Sequence, residues 1–597
     1  MKRNLMRNMA RAARVLAMTA VFGGLAAIGG ADCLAAGADT VVYGKIYTSN
    51  ANHDYAEAFA VKDGKYVYVG DAAGAAPYIE KGVTNVIDRS NKGLIMAGAT
   101  EGHGHYMVTS SFVTKNILMS AETKDEIVAY LKDRVAKEPD ANMYVSYGWD
   151  NTKLKEVKEQ LNMREALDEV CSDKVVFMYD NSGHNAFLNS KALQMAGITS
   201  DTVIEGGVIS KDADGNLLGL VSDIALNYAL SRTVATMEFV TPEEFAQSIE
   251  VAQDMLHANG YTSVFDGMTS PLGESVYSGL AEYDKAKGLT VNVSASLKID
   301  PFDNVDKSIQ KAIEYKGKYT TTHMQSRNIK LFADGECVES KSGWVINPYK
   351  DGTYGTQVWP TPIMDRIVQM ANVNGISVHV HASGDAATRQ AVEAFVKAEP
   401  AVRASGQEVI NGIAHSRQIT DAVKDLMARH NIYSATNIAW RGYRDSQKPY
   451  INANFDKDFY NAGYPIKSLL DRGIVVTSST DYPANSGSPC DVPSIMEIAV
   501  NGTVDPNLVK GDNLNSLDLG ECITVEQAMD VFTINGARQM GLQDERGSIE
   551  NGKYADFILL DKDVTAIAKN QIHTAKVEKV YFEGKDVYDA DNASAKA

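Results

Sequence analysis

The middle of the chain alternates short apolar segments with helix signals, and this alternation constrains the fold more than any other feature. Strand candidates recur at residues 261–266, 289–297, 328–332, 376–381, 409–415, 432–437 and 474–479. Helix signals lie between several of them. At Thr241, for example, an N-cap residue precedes a proline and an N3 glutamate. With the apolar run before His103 the count reaches eight β/α units, which predicts an α/β fold, a (β/α)₈ barrel of the TIM type.

Two β-rich segments flank this middle. Residues 40–88 and 547–588 both contain short strands of alternating hydrophobicity, separated by glycine-bearing turns. Because the two segments have the same character, we expect them to form one small composite β-sandwich domain from both termini. Its predicted extent is residues 37–93 and 541–597.

The barrel is predicted to comprise residues 94–111 and 236–540. The intervening residues 112–235 are far more than a crossover between parallel strands needs. They contain their own capped helix from Thr123 and an apolar strand that follows Lys174. We therefore expect an inserted α+β domain over the barrel mouth.

The first 36 residues are typical of a bacterial signal peptide. Five basic residues precede the apolar run Val15–Ile28, which is short for a membrane span, and small residues near 35–37 offer a cleavage site. We expect residues 1–36 to be removed and the mature protein to be periplasmic or secreted, with no stable membrane association after cleavage. An uncleaved anchor is the alternative.

The charge balance narrows the choice of partner. The 597 residues carry a formal net charge of −18, which disfavours non-specific binding to nucleic acid or to anionic lipid because both need basic surface. A small-molecule substrate is the expected partner. The sequence leaves the oligomeric state open, with a homo-oligomer as one alternative.

Side chains with metal-binding chemistry lie at the ends of the predicted strands. His103 and His105 end strand 1, where residues i and i+2 point the same way. Four more lie at later strand ends: Lys330, His381, His415 and Asp481. Because the carboxyl ends of barrel strands share one rim, these residues can meet there. Imidazole and carboxylate groups suit Zn²⁺ and similar ions, so we expect one or two divalent ions per chain, with zinc preferred.

One member of this set, Lys330, and the nearby His379 have alternative roles. An ammonium at Lys330 would repel a cation, whereas carbamylation by CO₂ gives a carboxylate that can bridge two metals; the alternative is a buried lysine paired with an acid such as Asp334. His379 shares the inward parity of His381, so it is either a ligand itself or a partner of one.

These motifs resemble those of the amidohydrolase superfamily, in the branch called amidohydrolase family 3, and are similar to N-substituted formamide deformylases. The matching segments are EGHGH at 101–105, YGWD at 147–150, SGHNAFLNSKAL at 182–193, IKLFADG at 329–335, HASGD at 381–385, IAHS at 413–416, STDYP at 479–483 and GSIENGKYADFILLD at 547–561. The resemblance covers nearly the whole mature chain. It implies a distorted metal-bearing barrel, a composite β-sandwich and a branch-specific insert.

The resemblance also implies a chemistry, the hydrolysis of a non-peptide C–N bond of amide or N-formyl type by metal-activated water. Asp481 would bind the metal, accept the proton of the water and return it to the departing nitrogen. His184, in the insert, is the candidate substrate contact, with a solvated or capping histidine as the alternative. An esterase, lactonase or dehydratase on the same metals stays open. So does a metal-free binding protein, although the complete ligand set counts against it.

Overall fold

The computed structural model describes residues 37–593, apart from 155–156, 205, 238, 270–272, 339, 485–487 and 504–513. The predicted signal peptide at residues 1–36 lies outside this part of the chain. Among the helices that are described, none has the length and apolar character needed to cross a membrane. Three large sheets organise the fold, and a short two-stranded ribbon pairs Gly442–Arg444 with Leu514–Ser516.

Eight parallel strands form a nearly closed barrel, which confirms the predicted α/β architecture. Barrel strands 1 to 8 are Ala99–Gly104, Tyr261–Asp266, Asn292–Lys298, Met324–Phe332, Ser377–Ala382, Gly412–His415, Tyr433–Thr436 and Val476–Ser478. Each strand is hydrogen-bonded to the next in chain order, from strand 1 through strand 8. The strands are buried along most of their length, as expected for a parallel sheet covered by helices.

Helices connect the barrel strands and cover the outside of the sheet. The principal ones are Tyr106–Thr114, Pro242–Ala258, Glu274–Ala286, Val305–Tyr319, Thr361–Asn372, Asp385–Ser405, Asp421–Arg429, Lys448–Asn454, Lys457–Asn461, Lys467–Leu470, Val492–Asn501, Val525–Phe532 and Ile534–Met540. The capping box predicted at Thr241 is present, with Glu244 bonding back to the N-cap backbone. Ile367, Val368 and Ala371 are buried on one face of their helix, which is how an amphipathic helix packs on a barrel.

Strands from both ends of the chain form one composite sheet. They are Thr40–Tyr47, Tyr55–Lys62, Lys65–Gly70, Asn85–Arg89, Ile95–Ala97, Phe557–Leu560, Val577–Phe582 and Lys585–Asp589. Phe59 and Phe557 lie three strands apart in the order of this sheet, yet their ring centroids are 4.9 Å apart. A flat sheet would separate them by about 14 Å. The sheet therefore folds over on itself, as the predicted β-sandwich requires.

The boundary between this sheet and the barrel differs from the predicted one. The sequence predicts that the barrel begins at residue 94, but Ile95–Ala97 pair with Phe557–Leu560 in the composite sheet. The barrel begins at Ala99, directly after Gly98, where a Cβ would lie 2.2 Å from Thr262 Oγ1. An apolar run is buried equally well in either sheet, so hydrophobicity alone does not show where the chain leaves the composite sheet and enters the barrel.

Between barrel strands 1 and 2 the chain forms an α+β unit with a six-stranded sheet. Its strands are Leu118–Ala121, Met143–Trp149, Val175–Asp180, Asn185–Leu188, Gly207–Lys211 and Leu217–Asp223, and its helices are Lys124–Lys137, Asn151–Leu154, Met163–Asp168, Ser190–Ala196 and Ile224–Arg232. The capping box predicted at Thr123 and Glu126 is present. Side chains of this unit line a pocket at the carboxyl end of the barrel.

His323, next to barrel strand 4, joins the barrel to the composite sheet. Its Nδ1 lies 2.8 Å from Asp284 Oδ1, and its Nε2 lies 3.2 Å from Glu583 Oε1. Burial lowers the pKa of His323, but the hydrogen bonds to these carboxylates outweigh burial and raise it to about 9. The imidazolium is therefore present at neutral pH and pairs with both units.

We expect His323→Gln to lower the free energy of unfolding by about 2 kcal/mol near neutral pH, since the buried carboxylate of Asp284 and the partly buried carboxylate of Glu583 lose their cation. The folded-state pKa is raised, so the stabilisation is complete below the unfolded pKa of about 6.5 and is lost as the pH rises through about 9. Thermal unfolding of both proteins at about pH 6 and about pH 10 measures the difference. His430→Gln, which breaks a more exposed pair with Glu399, is the control. An equal difference at both pH values would contradict this role.

Candidate metal centre

The carboxyl end of the barrel brings together the side chains that the sequence selected. They are His103, His105, Lys330, His381, His415 and Asp481, and all are buried except His105, which is partly buried. His103 lies in barrel strand 1, and His415 is the last residue of barrel strand 6. These residues are far apart in the sequence but close in the fold, because the parallel strands of a barrel end at one rim.

Backbone hydrogen bonds join the ends of barrel strands 1 and 8 and set the positions of three of these residues. Asp481 N donates to His103 O at 2.9 Å, and His105 N donates to Tyr482 O at 2.9 Å. Beside these bonds, Glu101 Oε1 accepts from the backbone N of His103 and from that of the residue before Asp481, each at 3.0 Å. We call this set of contacts the strand 1–strand 8 seam.

The imidazoles and the Asp481 carboxylate surround one small volume. His103 Nε2 and His105 Nε2 lie 3.2 and 3.1 Å from Asp481 Oδ1. The ring centroid of His415 lies 5.0 Å from that of His103 and 4.3 Å from that of His381. One donor atom from each of His103, His105 and Asp481 lies within 4.8 Å of the other two, a spacing that fits a shared ion.

Protonation and unused donor atoms in this cluster also fit a divalent ion. Burial lowers the pKa of His103 and His415 well below the usual value and lowers that of His381 to about 3. These rings are therefore neutral, as metal ligands must be. His381 Nδ1 and His105 Nδ1 are buried, yet neither has a hydrogen-bond partner in the described part of the chain. Leaving such atoms unpaired is costly, and a cation would satisfy His381 Nδ1.

Lys330 extends from barrel strand 4 into the same cluster. Its Nζ lies 3.2 Å from His103 Nε2, and burial lowers its pKa to about 7. The alternative pairing with Asp334 is not present among the described contacts. Asp334 instead accepts from the backbone N of Ser383 at 3.0 Å and of Gly384 at 2.7 Å. Carbamylation of Lys330 stays a prediction.

Two residues of the cluster have backbone conformations that are rare outside glycine. The φ angle is 71° at His415 and 57° at Asp481. A conformation of this kind costs about 1–3 kcal/mol, so the surrounding structure must hold it in place. Strained positions of this type concentrate at functional sites, where they fix the direction of a side chain.

His379, for which the sequence left two roles, contacts a member of the cluster from behind. Its Nε2 lies 2.7 Å from His103 Nδ1, and its Nδ1 lies 2.6 Å from the Tyr433 hydroxyl. Both of its ring nitrogens are thus engaged away from Asp481, so this geometry favours the role of partner. Tyr433 was not identified from the sequence, where it is one more aromatic residue of a buried strand.

The pocket above the cluster is shared by the barrel and the insert. It encloses about 1210 Å³ of empty space, its open mouth included, which suits a small molecule. Its apolar lining consists of Val108, Phe112, Ile224, Leu226, Leu230, Met268, Phe332 and Val358. Lys330 is the sole lysine or arginine among the described lining residues.

His184 lies on the wall that the insert contributes and is held by Asp223. Its Nδ1 is 2.9 Å from Asp223 Oδ1, and Asp223 N donates to His184 O at 2.9 Å. Burial lowers the pKa of His184, but the hydrogen bond and charge of Asp223 outweigh burial and raise it to about 9. The ring is therefore charged, and no described contact occupies its Nε2.

Asp223 was missed in the sequence because its position suggests a different task. It precedes the helix Ile224–Arg232 at the N-cap, where aspartate ordinarily accepts a hydrogen bond from the first turn. Here its side chain makes no cap bond, and its φ of 51° turns the carboxylate toward His184. The local sequence predicts that Asp223 caps the helix. It contains no signal for the hydrogen bond to His184, which is distant in the sequence.

Comparisons with known proteins agree with this geometry. A family model described as the Amidohydrolase family matches residues 86–588. The YtcJ protein of Bacillus subtilis is 25% identical over 555 residues, which cover 92% of this chain and 98% of the relative. The N-substituted formamide deformylase of Arthrobacter pascens is 22% identical over 571 residues, which cover 91% of this chain and 97% of the relative.

A solved structure confirms the fold. An uncharacterized metal-dependent hydrolase from Pyrococcus furiosus superposes with a TM-score of 0.66 at 22% identity, covering 88% of this chain and 99% of that one. At this identity the likeness concerns the fold alone. The match to the family model, however, spans the barrel, the insert and the C-terminal strands of the composite sheet. The chain belongs to the amidohydrolase family.

Proposed function

We propose that this protein is an exported, metal-dependent amidohydrolase that cleaves a non-peptide C–N bond, of amide or N-formyl type, in a small molecule. The observation that carries the proposal is the convergence of neutral buried imidazoles, Lys330 and an ionised Asp481 on one point at the bottom of a pocket. The similarity to a protein named as an N-substituted formamide deformylase supports the choice of bond.

The residues that would hold the metal are His103, His105, His381, His415 and Asp481, with Lys330 as a carbamylated bridge if two ions bind. Zinc is the preferred ion because the donors are mostly imidazole nitrogens. When bound, such an ion lowers the pKa of water and polarises the scissile carbonyl.

Asp481 is the group that moves the proton. Burial alone would raise the pKa of Asp481, but His415 and the hydrogen bond from His105 outweigh burial and hold it below its usual range. The carboxylate is therefore ready to accept a proton as the water oxygen attacks the carbonyl carbon. The same proton then passes to the nitrogen as the C–N bond breaks, giving a carboxylic acid and an amine.

His184 would contact the substrate from the opposite side of the pocket. Its Nδ1 is bonded to Asp223, which leaves Nε2–H to donate to an acceptor on the substrate. The apolar lining would hold the rest of the molecule. We therefore expect a largely apolar amide with at least one hydrogen-bond acceptor within reach of His184.

Export and partners are proposals that rest on the sequence. The basic N-terminus and the apolar run Val15–Ile28 support a periplasmic or secreted location after signal cleavage. The net charge of −18 supports a partner other than nucleic acid. A homo-oligomer stays an alternative to a monomer.

The first test is metal content together with the role of Asp481. Purified protein should contain one to two equivalents of a divalent ion by elemental analysis, and a panel of N-formyl, N-acyl, cyclic amide and lactone compounds should find a substrate. We expect Asp481→Asn to lower turnover by about 10²- to 10⁴-fold, since the proton acceptor is lost, while most of the metal is retained. Turnover that survives in this variant would refute the proposed mechanism. Protein that is well folded yet cannot be loaded with metal would favour a binding protein.

The second test concerns the carbamate on Lys330. If it bridges two ions, Lys330→Ala should lose the second equivalent of metal and most of its activity, because an alanine cannot supply the oxygen ligands. Added bicarbonate should restore part of both, whereas chloride at the same ionic strength should not. Unchanged metal content and activity in Lys330→Ala would remove the carbamate from the mechanism.

The third test concerns His184. We expect His184→Leu to lower kcat/KM by about 10- to 100-fold for the best compound of the panel, the loss expected for a hydrogen bond from a charged donor. His184→Gln retains an N–H donor and should lose less. Metal content should match the wild type in both variants, which separates this role from damage to the metal centre. Equal kcat/KM for His184→Leu and the wild type would show that His184 does not touch the substrate.

A further inference from the structure

Three aromatic rings form a chain of contacts inside the barrel, behind the metal centre. His103 Nδ1 lies 2.7 Å from His379 Nε2, and His379 Nδ1 lies 2.6 Å from the Tyr433 hydroxyl. The planes of neighbouring rings differ by 30° and 19°. The ring centroids of His103 and His379 lie 4.8 Å apart, whereas their nearest nitrogens lie only 2.7 Å apart, so the two rings meet through their nitrogen edges at a hydrogen-bonding distance.

This chain of contacts is closed to water. His379 is 0% and Tyr433 2% exposed, and the ring of Phe265 packs 4.5 Å from that of His379. Among the described contacts neither His379 nor Tyr433 touches a carboxylate. The chain of contacts is therefore taken as a neutral imidazole beside a neutral phenol, and each polar atom depends on the next for its hydrogen bond.

A neutral imidazole carries one ring proton, which leaves two consistent arrangements. In the first, Tyr433 donates to His379 Nδ1, His379 Nε2–H donates to His103 Nδ1, and the proton of His103 is on Nε2. In the second, His103 Nδ1–H donates to His379 Nε2, and His379 Nδ1–H donates to the Tyr433 oxygen. The two arrangements contain the same number of protons. Only the second arrangement leaves a lone pair on His103 Nε2, the atom that faces Asp481.

We propose that His379 is a positioning residue which, with Tyr433, fixes the ring of His103 and stabilises the tautomer whose Nε2 lone pair faces the metal centre. The inference rests on the proposed metal-dependent function. Ligating histidines usually donate their second N–H to a carboxylate, a carbonyl or water. A histidine–tyrosine partner performs this task without adding charge, so the full positive charge of the ion stays available to the water and the carbonyl.

Substitutions at His379 separate positioning from packing. His379→Leu fills similar space but cannot accept from His103, so Zn²⁺ affinity should fall by about 10- to 100-fold, as for other partners of ligating histidines. His379→Gln offers an oxygen to His103 and an amide N–H to Tyr433, so it should restore most of the affinity. Tyr433→Phe keeps the first contact and removes the second, and should lower the affinity severalfold.

The measurement is competition for Zn²⁺ between chelator-stripped protein and a fluorescent chelator of known affinity, with circular dichroism to confirm folding. His257→Leu is the matched control. His257 is also a buried histidine with both nitrogens bonded, Nδ1 at 3.1 Å from Tyr261 O and Nε2 at 2.9 Å from Thr290 Oγ1. It has no contact with the metal centre among the described residues, so its loss should leave Zn²⁺ affinity unchanged.

The outcomes separate this inference from the proposed function. The positioning role is overturned if His379→Leu binds Zn²⁺ with the affinity of the wild type. It is also overturned if His257→Leu loses as much Zn²⁺ affinity as His379→Leu. If His379→Gln binds Zn²⁺ no more tightly than His379→Leu, the positioning role is also overturned, because the altered shape alone would then explain the loss of affinity. If His379→Leu does not fold, the Zn²⁺ affinities of Tyr433→Phe and His257→Leu are compared instead. The positioning role then requires a lower affinity in Tyr433→Phe than in His257→Leu, and equal affinities overturn it. Wild-type protein that binds Zn²⁺ but hydrolyses no compound of the panel would refute the substrate proposal alone. Wild-type protein that binds no Zn²⁺ would refute both.

Discussion

The metal centre depends on the seam that joins the first and last barrel strands. Two backbone hydrogen bonds, Asp481 N to His103 O and His105 N to Tyr482 O, connect residues almost four hundred positions apart and align them to within a residue. Without this register the acid and the two histidines of strand 1 would not share an ion. The Glu101 carboxylate holds both strand ends from inside the barrel. The contacts that join the first and last barrel strands are therefore the contacts that position the donor set.

Burial gives the assembled groups the charge states that the chemistry needs. The same desolvation that keeps three imidazoles neutral lowers the pKa of Lys330 to about 7, so a fraction of the amine is uncharged near neutrality and able to react with CO₂. Asp481 stays ionised because the neighbouring rings and Lys330 offset its burial. Desolvation thus prepares nitrogen lone pairs and a reactive lysine, while the groups around Asp481 keep its carboxylate ionised at the same position.

The sequence predicts those parts of the structure that depend on local periodicity or on strand-end position. Tyr261–Asp266 is a barrel strand with the predicted bounds because its apolar run ends at clear turn signals. The positions of His381 and His415 follow from the rule that strand ends share one rim. Ile95–Ala97 were assigned to the wrong sheet because either environment buries them. The link from His379 to Tyr433 and the turn of Asp223 toward His184 depend on long-range packing, for which single-sequence patterns have no signal.

The barrel and the insert have different roles because the barrel strands hold side chains more rigidly than a loop of the insert does. The barrel rim carries the chemistry, since parallel strands hold ligands within the narrow tolerance that a metal requires. The insert carries His184 on the short loop between Val175–Asp180 and Asn185–Leu188, and the buried Asp180 braces this loop through Ser182 and Asn185. A contact supplied by a separate unit can change its side chains without disturbing the ligands. Under the proposed function, substrate choice would therefore be set by the insert and the apolar wall, and the bond-breaking step by the seam.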